Sequence, residues 1–270
     1  LVSRPRDPFD DPVLYDWEYR RRRDDVRFYA ALADEQPGPV LDLACGTGRL
    51  LIPFVRAGRT VVGIERSGPM LARASARVAR LAPHLRRRAL LARGDLRALP
   101  FRRRFGFAVA AFHSLQHLHT DGDLRLFFAG AARALRPGGW LAFDIFAPAP
   151  RFLARDPAAR WAPTRFKHPG TGRPTLTWET HRLRGRVLTM TFHYQSLDRR
   201  GRPRGPVRRV ALAHRLLGPR EVEALLARAG FRLVGTWGGF DGRPLDGETE
   251  QHVYLARAPG GRNVASHRTR

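Results

Sequence analysis

Val40-Leu41-Asp42-Leu43-Ala44-Cys45-Gly46-Thr47-Gly48 decides the reading of this chain. An apolar run breaks into a turn of small residues, and Arg49-Leu50-Leu51-Ile52-Pro53-Phe54-Val55 then reads as the opening of a helix. A second apolar run, Thr60-Val61-Val62-Gly63-Ile64, closes on Glu65, 19 residues beyond Gly46. A strand, glycine turn and helix in that order let a ligand approach bare backbone, and an acid at that distance is placed to hold a ribose. The pattern predicts a nucleoside-cofactor site.

Two cofactors can be tested against the spacing. A dinucleotide site wants G-x-G-x-x-G, whose last glycine permits close helix–strand packing; from Gly46 the sixth position is Leu51. A Walker P-loop needs Gly-Lys-Ser/Thr, and the only lysine of the chain is Lys167. What remains, Asp42-x-Ala44-Cys45-Gly46-Thr47-Gly48, resembles motif I of the class I S-adenosylmethionine-dependent methyltransferases.

The resemblance continues in order. Glu65-Arg66-Ser67-Gly68-Pro69-Met70-Leu71 is similar to that family's acidic end of strand two and the helix after it. Gly94-Asp95-Leu96 is similar to its adenine-contacting element, and Leu135-Arg136-Pro137-Gly138-Gly139-Trp140-Leu141 to its turn into strand five. Phe105-Gly106-Phe107 departs from the usual Phe-Asp at Gly106. Phe112-His113-Ser114-Leu115-Gln116-His117-Leu118 resembles the segment after strand four, and Tyr15-Asp16 the N-terminal Tyr-Asp of small-molecule N-methyltransferases acting on amino sugars.

The resemblance implies S-adenosyl-L-methionine as cofactor and S-adenosyl-L-homocysteine as product. It implies a cofactor site built from Tyr15, Asp42, Ala44, Gly46, Gly48, Glu65, Arg66, Met70, Gly94, Asp95, Leu96 and Phe112. Within it, Gly46 and Gly48 keep side chains out of the way, and the N–H groups opening the following helix can receive a carboxylate. Asp42 either organises the turn or meets the methionyl ammonium. Glu65 is expected to accept both ribose hydroxyls, and Asp95 the adenine amino group, with Met70 and Leu96 against the ring. Cys45 reads as a small turn residue.

With 270 residues the chain can bury one large core. No apolar run approaches the ~20 residues of a membrane span, Leu1–Asp11 lacks signal-peptide character, and a single cysteine excludes an internal disulfide framework. A cytoplasmic location is expected. No His/Cys/Asp cluster has metal-site spacing. The net charge is +25, from 49 Lys+Arg against 24 Asp+Glu. It reads either as an anionic partner such as RNA or as coding drift toward arginine; RNA binding is the less favoured reading because the arginines are spread along the sequence.

Strands are predicted near 39–44, 60–65, 88–93, 106–112 and 139–146, and helices near 48–57, 68–82 and 121–135, with one or two more between Leu14 and Ala33. That alternation gives an α/β, Rossmann-like, seven-stranded sheet with helices on both faces. Beyond Pro148, Thr175–His181 and Val187–Tyr194 are β-rich around a turn at Arg184-Gly185-Arg186. Residues 149–217 are therefore read as a β-rich substrate lid, between a 13–148 core and a 218–258 segment that completes the sheet. Loose ends are expected at 1–12 and 259–270.

Methyl transfer from a sulfonium is an in-line displacement whose leaving group departs neutral, so alignment can supply most of the rate. A base is needed only if the acceptor must shed a proton. His113 and His117 are the candidate bases, four residues apart and on one face if the segment is helical. Tyr19, Asp144, Trp178, His193 and Tyr194 are expected to line the acceptor pocket. The expected function is methyl transfer to N or O of a small molecule. RNA or protein methylation, or cofactor binding without catalysis, are the alternatives.

Overall fold

The computed structural model describes residues 7–246 and 249–260. The ends at 1–6 and 261–270, expected to be loose, lie outside the described residues. Residues 7–11, expected to be loose as well, are held: Pro8–Asp10 form a 3-10 turn capped by Asp7, and Asp11 caps the next helix by accepting from Leu14 N at 3.0 Å.

In chain order the core elements are α1 (Pro12–Glu18), α2 (Asp24–Asp34), β1 (Val40–Leu43), α3 (Leu51–Arg56), β2 (Val61–Glu65), α4 (Gly68–Ala79), α5 (Pro83–Arg86), β3 (Ala89–Arg93), β4 (Phe105–Ala110), a 3-10 turn Ser114–His117, α6 (Asp121–Ala134), β5 (Leu135–Phe146) and α7 (Pro150–Leu153). A second group follows: β6 (Trp161–Lys167), β7 (Pro174–Arg184), β8 (Val187–Ser196) and β9 (Arg208–Arg215). Then α8 (Pro219–Arg228), β10 (Arg232–Trp237) and β11 (Gln251–Arg257) return to the core.

Local chemistry explains the helix starts. Ser67 caps α4 and Thr120 caps α6, each accepting a backbone N–H three residues on. Asp121 and Asp123 add negative charge at the positive end of the α6 dipole. Gly230, after α8, takes the left-handed φ of +80° that a helix terminator needs.

The seven-stranded sheet has the order β10-β11-β5-β4-β1-β2-β3. β1 to β5 run parallel, and β11 is antiparallel to both β5 and β10. β1, β2 and β4 are buried at every position because helices cover both faces. Gly106 has a steric reason: a Cβ there would sit 1.9 Å from the Pro37 carbonyl oxygen. The loop before β1 crosses β4 at that point, and the usual acid has no room.

The strand order reverses between β1 and β4, and open α/β sheets bind ligands beyond the carboxyl ends of strands at such a point. Over it lies a separate antiparallel sheet of order β6-β7-β8-β9, with Gly185 (φ +55°) in the expected turn. β6 was not anticipated; Pro163 within it and its mostly exposed residues suit an edge strand and give no alternating signal. Gln116 ties the two sheets together. Its amide nitrogen donates to the carbonyls of Phe146 (2.9 Å) and Arg215 (3.0 Å), and its oxygen accepts from Phe146 N at 2.7 Å. Among the described residues, no helix is long and apolar enough to cross a membrane.

Candidate active site

Beyond the carboxyl ends of β1, β2 and β4 lies a cavity of about 1060 Å³, roofed by β8 and β9 and closed on one side by residues 7–22. It is at the upper end of the about 300–1,000 Å³ usual for small-molecule pockets. Its floor is the glycine turn. Ala44 (φ +56°), Gly46 (φ +55°) and Gly48 (φ +79°) all take left-handed backbone conformations. A Cβ at Gly46 would meet only the Met70 methyl, at 3.4 Å, so the turn opens to the cavity. Gly48 does not line it: that position faces Ile52 and Ala74 and serves the turn. Cys45 is buried and burial pushes its thiol pKa up, consistent with an inert packing residue.

Glu65 stands where β2 ends. Its Oε2 accepts from Gly46 N at 2.9 Å and its Oε1 from Ser67 N at 2.7 Å. A carboxylate has about four lone-pair positions, so each oxygen retains one for a further donor. The carboxylate thus fixes the glycine turn and still has two acceptor positions in hand. Asp42 is 2% exposed and its Oδ2 has no partner. Burial drives its pKa up to about 7; the Glu65 charge pushes the same way, and the Arg49 guanidinium opposes. An orphaned buried carboxyl beside an open glycine turn fits a cationic ligand group. Asp95, at the far rim, is held by Arg97 in a two-point ion pair (2.9 and 2.6 Å) that lowers its pKa to about 2. Met70, Arg66, Gly94 and Leu96 line the cavity beside it.

Asp16, next to Tyr15, points away and binds motif I from below. It accepts from Thr47 Oγ1 at 2.6 Å and Arg73 Nε at 2.9 Å. That anchorage brings Tyr15 and Tyr19 over the cavity, where both meet Phe112 edge-on, at 6.2 and 4.6 Å between ring centroids. Burial pushes the Tyr15 hydroxyl up to about 12.

His113 and His117 both line the cavity, though not through a regular α-helix: His113 caps a short 3-10 turn with a left-handed φ of +61°, and His117 ends it. A third imidazole, His214 of β9, joins them at 5.7 Å from the His113 ring and 5.0 Å from the His117 ring. His214 is 3% exposed and its Nδ1 has no partner. Burial lowers all three pKa values, His117 to about 4 and His214 to about 2; repulsion from neighbouring imidazoles adds to it at His117 and His214, whereas the Asp144 carboxylate opposes it at His113. The cluster is uncharged at neutral pH.

Strand parity sorts the residues of the four-stranded sheet. Met190, Phe192 and Tyr194 of β8 pair with Leu212, Val210 and Arg208 of β9 on the face that meets the cavity. Tyr194 donates to Glu18 Oε1 at 2.7 Å. Trp178 and His193, expected to line the pocket, pair with each other on the opposite face and stack at 5.0 Å. Period-two alternation puts every odd residue of β8 there. Asp144, also expected to line the pocket, is fully buried behind it, where its carboxylate accepts from Tyr29 OH, Phe112 N, His113 N and Gln251 Nε2. Phe9, Glu18, Arg208, His214 and Gln251 line the cavity without having been read from the sequence. For β8 and β9 the signal was available in the alternation itself.

Residues 40–139 match the family described as a methyltransferase domain. Over 249 residues, 87% of this chain and 96% of the relative, the chain is 29% identical to the dTDP-3-amino-3,4,6-trideoxy-alpha-D-glucopyranose N,N-dimethyltransferase of Streptomyces venezuelae. It is 35% identical over 111 residues to the putative methyltransferase YqeM of Bacillus subtilis, a match spanning 41% of this chain and 43% of that protein. Among solved structures it resembles the glycopeptide N-methyltransferase MtfA complexed with S-adenosyl-L-methionine. That likeness has a TM-score of 0.58 at 26% identity, over 87% of this chain and 86% of that one.

Proposed function

We propose that the chain, which is similar to class I S-adenosylmethionine-dependent methyltransferases, methylates an amine nitrogen of a small polar molecule, an amino sugar or a similarly sized amine. The observation that carries the nitrogen acceptor is the cluster of three uncharged imidazoles on the acceptor side of the cavity, beside the Glu18–Tyr194 pair. The N,N-dimethyltransferase and N-methyltransferase activities named for two similar proteins support the same reading.

The residues present fit the cofactor. The free acceptor positions of Glu65 suit a ribose diol, and the unpartnered Asp42 carboxyl suits the methionyl ammonium. Met70 and Leu96 offer an apolar seat for adenine beside Asp95. When bound, S-adenosylmethionine supplies an electrophilic methyl on a sulfonium.

The chain's own part is to present a nitrogen with its lone pair free. An ammonium cannot attack, and a cavity wall of neutral imidazoles leaves room for a neutral amine. The His117 and His214 nitrogens can accept an N–H of that amine and so turn its lone pair toward the cofactor. With pKa values of about 4 and 2 they are weak bases, so they orient the amine, and the proton released on alkylation passes to solvent. Tyr15, Tyr19 and Phe9 narrow the entrance and exclude water. Alignment and a dry site then supply the rate.

Labelled-methyl transfer to paired amine and hydroxyl analogues of one sugar scaffold tests the reading; label on the hydroxyl series alone overturns it. The His117→Ala variant is expected to lose about tenfold in turnover, the scale of one lost orienting contact, while calorimetry shows unchanged S-adenosylhomocysteine affinity. Unaltered turnover would return His117 to a purely structural place.

The imidazoles also make stability pH-dependent. Their folded pKa values lie below the ordinary His value of about 6.5, so the unfolded chain binds protons that the folded chain does not, and stability falls as pH drops below about 6.5. Near pH 5.5 the loss is about 1 kcal/mol for each of His117 and His214. Urea unfolding of the parent between pH 7.5 and 5.5 is expected to show a steeper fall than that of His214→Phe. Parallel pH dependences would mean that His214 is protonated in the folded protein.

A further inference from the structure

The arginines that look dispersed in sequence gather in space. Arg86 and Arg87 precede β3, Arg102, Arg103 and Arg104 precede β4, and Arg136 opens β5. All lie at the amino ends of parallel strands, the edge of the sheet opposite the cavity. Arg56, Arg80 and Arg228 end α3, α4 and α8 at the same edge, and Arg232 opens β10 there. Each is exposed. Their loops are neighbours: Arg103 N and Arg104 N donate to the carbonyls of Arg133 and Ala134, Arg136 reaches Gly38, and Arg88 donates to the Gly58 carbonyl at 2.8 Å.

The acids are elsewhere. In these connections only Asp34 and Glu35 carry negative charge, and Asp34 faces Arg59. At the cavity end several arginines are matched, Arg97 with Asp95 and Asp123, Arg208 with Asp11 and Arg49 with Asp25, although among the described residues Arg66 and Arg93 are not. Among the described residues none of the arginines named for the opposite edge, Arg59 apart, meets a carboxylate. Helix-dipole compensation accounts for Arg56, Arg80 and Arg228, but not for the runs before β3 and β4. Coding drift toward arginine would not separate the two signs of charge.

We propose that this edge is a docking surface for the phosphate backbone of a nucleic acid, held without sequence preference and apart from the methylation cavity. Seven strands spaced about 4.8 Å apart give an edge about 30 Å long, close to one turn of a duplex at about 34 Å. Among the described residues the surface is arginine-rich and lacks exposed large apolar side chains; Leu90, Leu126 and Val234 lie on neighbouring elements rather than in these loops. A protein partner would need an apolar centre, whereas a polyphosphate needs only distributed cations.

The test is fluorescence anisotropy of the full chain with a labelled duplex of about 20 base pairs and mixed sequence, titrated between about 50 and 200 mM salt. Two triple variants carry equal charge loss: Arg87, Arg102 and Arg104 to Ser on the proposed surface, and Arg199, Arg200 and Arg204 to Ser on the exposed β8–β9 connection. The surface variant is expected to weaken binding about tenfold and flatten the salt dependence by about two phosphates' worth, while the lid variant changes affinity less than about twofold. Equal losses in both variants, binding unaffected by the surface variant, or competition by polyglutamate as effective as that of the duplex would overturn the proposal.

Discussion

Replacing Glu65 by alanine is expected to weaken binding of S-adenosylhomocysteine by about 30- to 150-fold, or about 2–3 kcal/mol, the scale of two hydrogen bonds to a charged acceptor less what water restores. The carboxylate has two tasks. It closes the glycine turn through Gly46 N and Ser67 N, and its remaining lone pairs face the cavity that it lines. Alanine removes both, so the loss includes loosening of the turn as well as the missing ribose contacts. Glu65→Gln separates the tasks: one oxygen still accepts, its amide group now opposes one of the two backbone donors, and an intermediate loss is expected. Isothermal titration calorimetry on both variants reads the result, with thermal melts to confirm folding. An alanine variant that binds the product like the parent would remove Glu65 from the cofactor site.

The end of the cavity proposed to hold the cofactor was legible because it is local. Motif I, Glu65 and Gly94–Leu96 each follow a strand end, and a parallel sheet covered on both faces fixes where those ends converge. The end proposed for the acceptor was less so, because its residues come from elements whose pairing is set by tertiary packing. Tyr194 and His193 are adjacent in sequence, and only strand parity decides that Tyr194 meets the cavity while His193 stacks on Trp178. His214 contributes from a strand that reaches the cavity only because Gln116 stitches β9 to the end of β5. Phe9 sits in a segment that composition marks as loose and that two Asp caps hold in place. The arginine edge was hidden for the same reason: connections tens of residues apart become neighbours only when the strands align.

Asp144→Ala is expected to cost about 3–5 kcal/mol of stability, the range for removing one partner from a buried charged network. Its carboxylate is fully buried and saturated. Oδ1 accepts from Tyr29 OH at 2.7 Å and Phe112 N at 2.8 Å, and Oδ2 from Gln251 Nε2 at 3.0 Å and His113 N at 3.2 Å. Phe112 and His113 are consecutive non-glycine residues with φ of 60° and 61°, a conformation that costs about 1–2 kcal/mol per residue. Two backbone N–H groups converging on one carboxylate oppose that strain and aim both side chains into the cavity. Without the acceptor, the turn should relax and carry His113 and Phe112 away from the site, so product affinity should fall together with stability. Tyr29→Phe removes a single donor and is expected to cost only about 1–1.5 kcal/mol with binding preserved, which calibrates the comparison if Asp144→Ala proves too unstable to study. Asp144→Asn gives an independent reading, since its NH2 must face a donor and should destabilise more than Tyr29→Phe. Urea unfolding of the three variants decides the matter: an Asn variant as stable as the parent would mean that the left-handed turn holds itself and that Asp144 is a passenger beneath it.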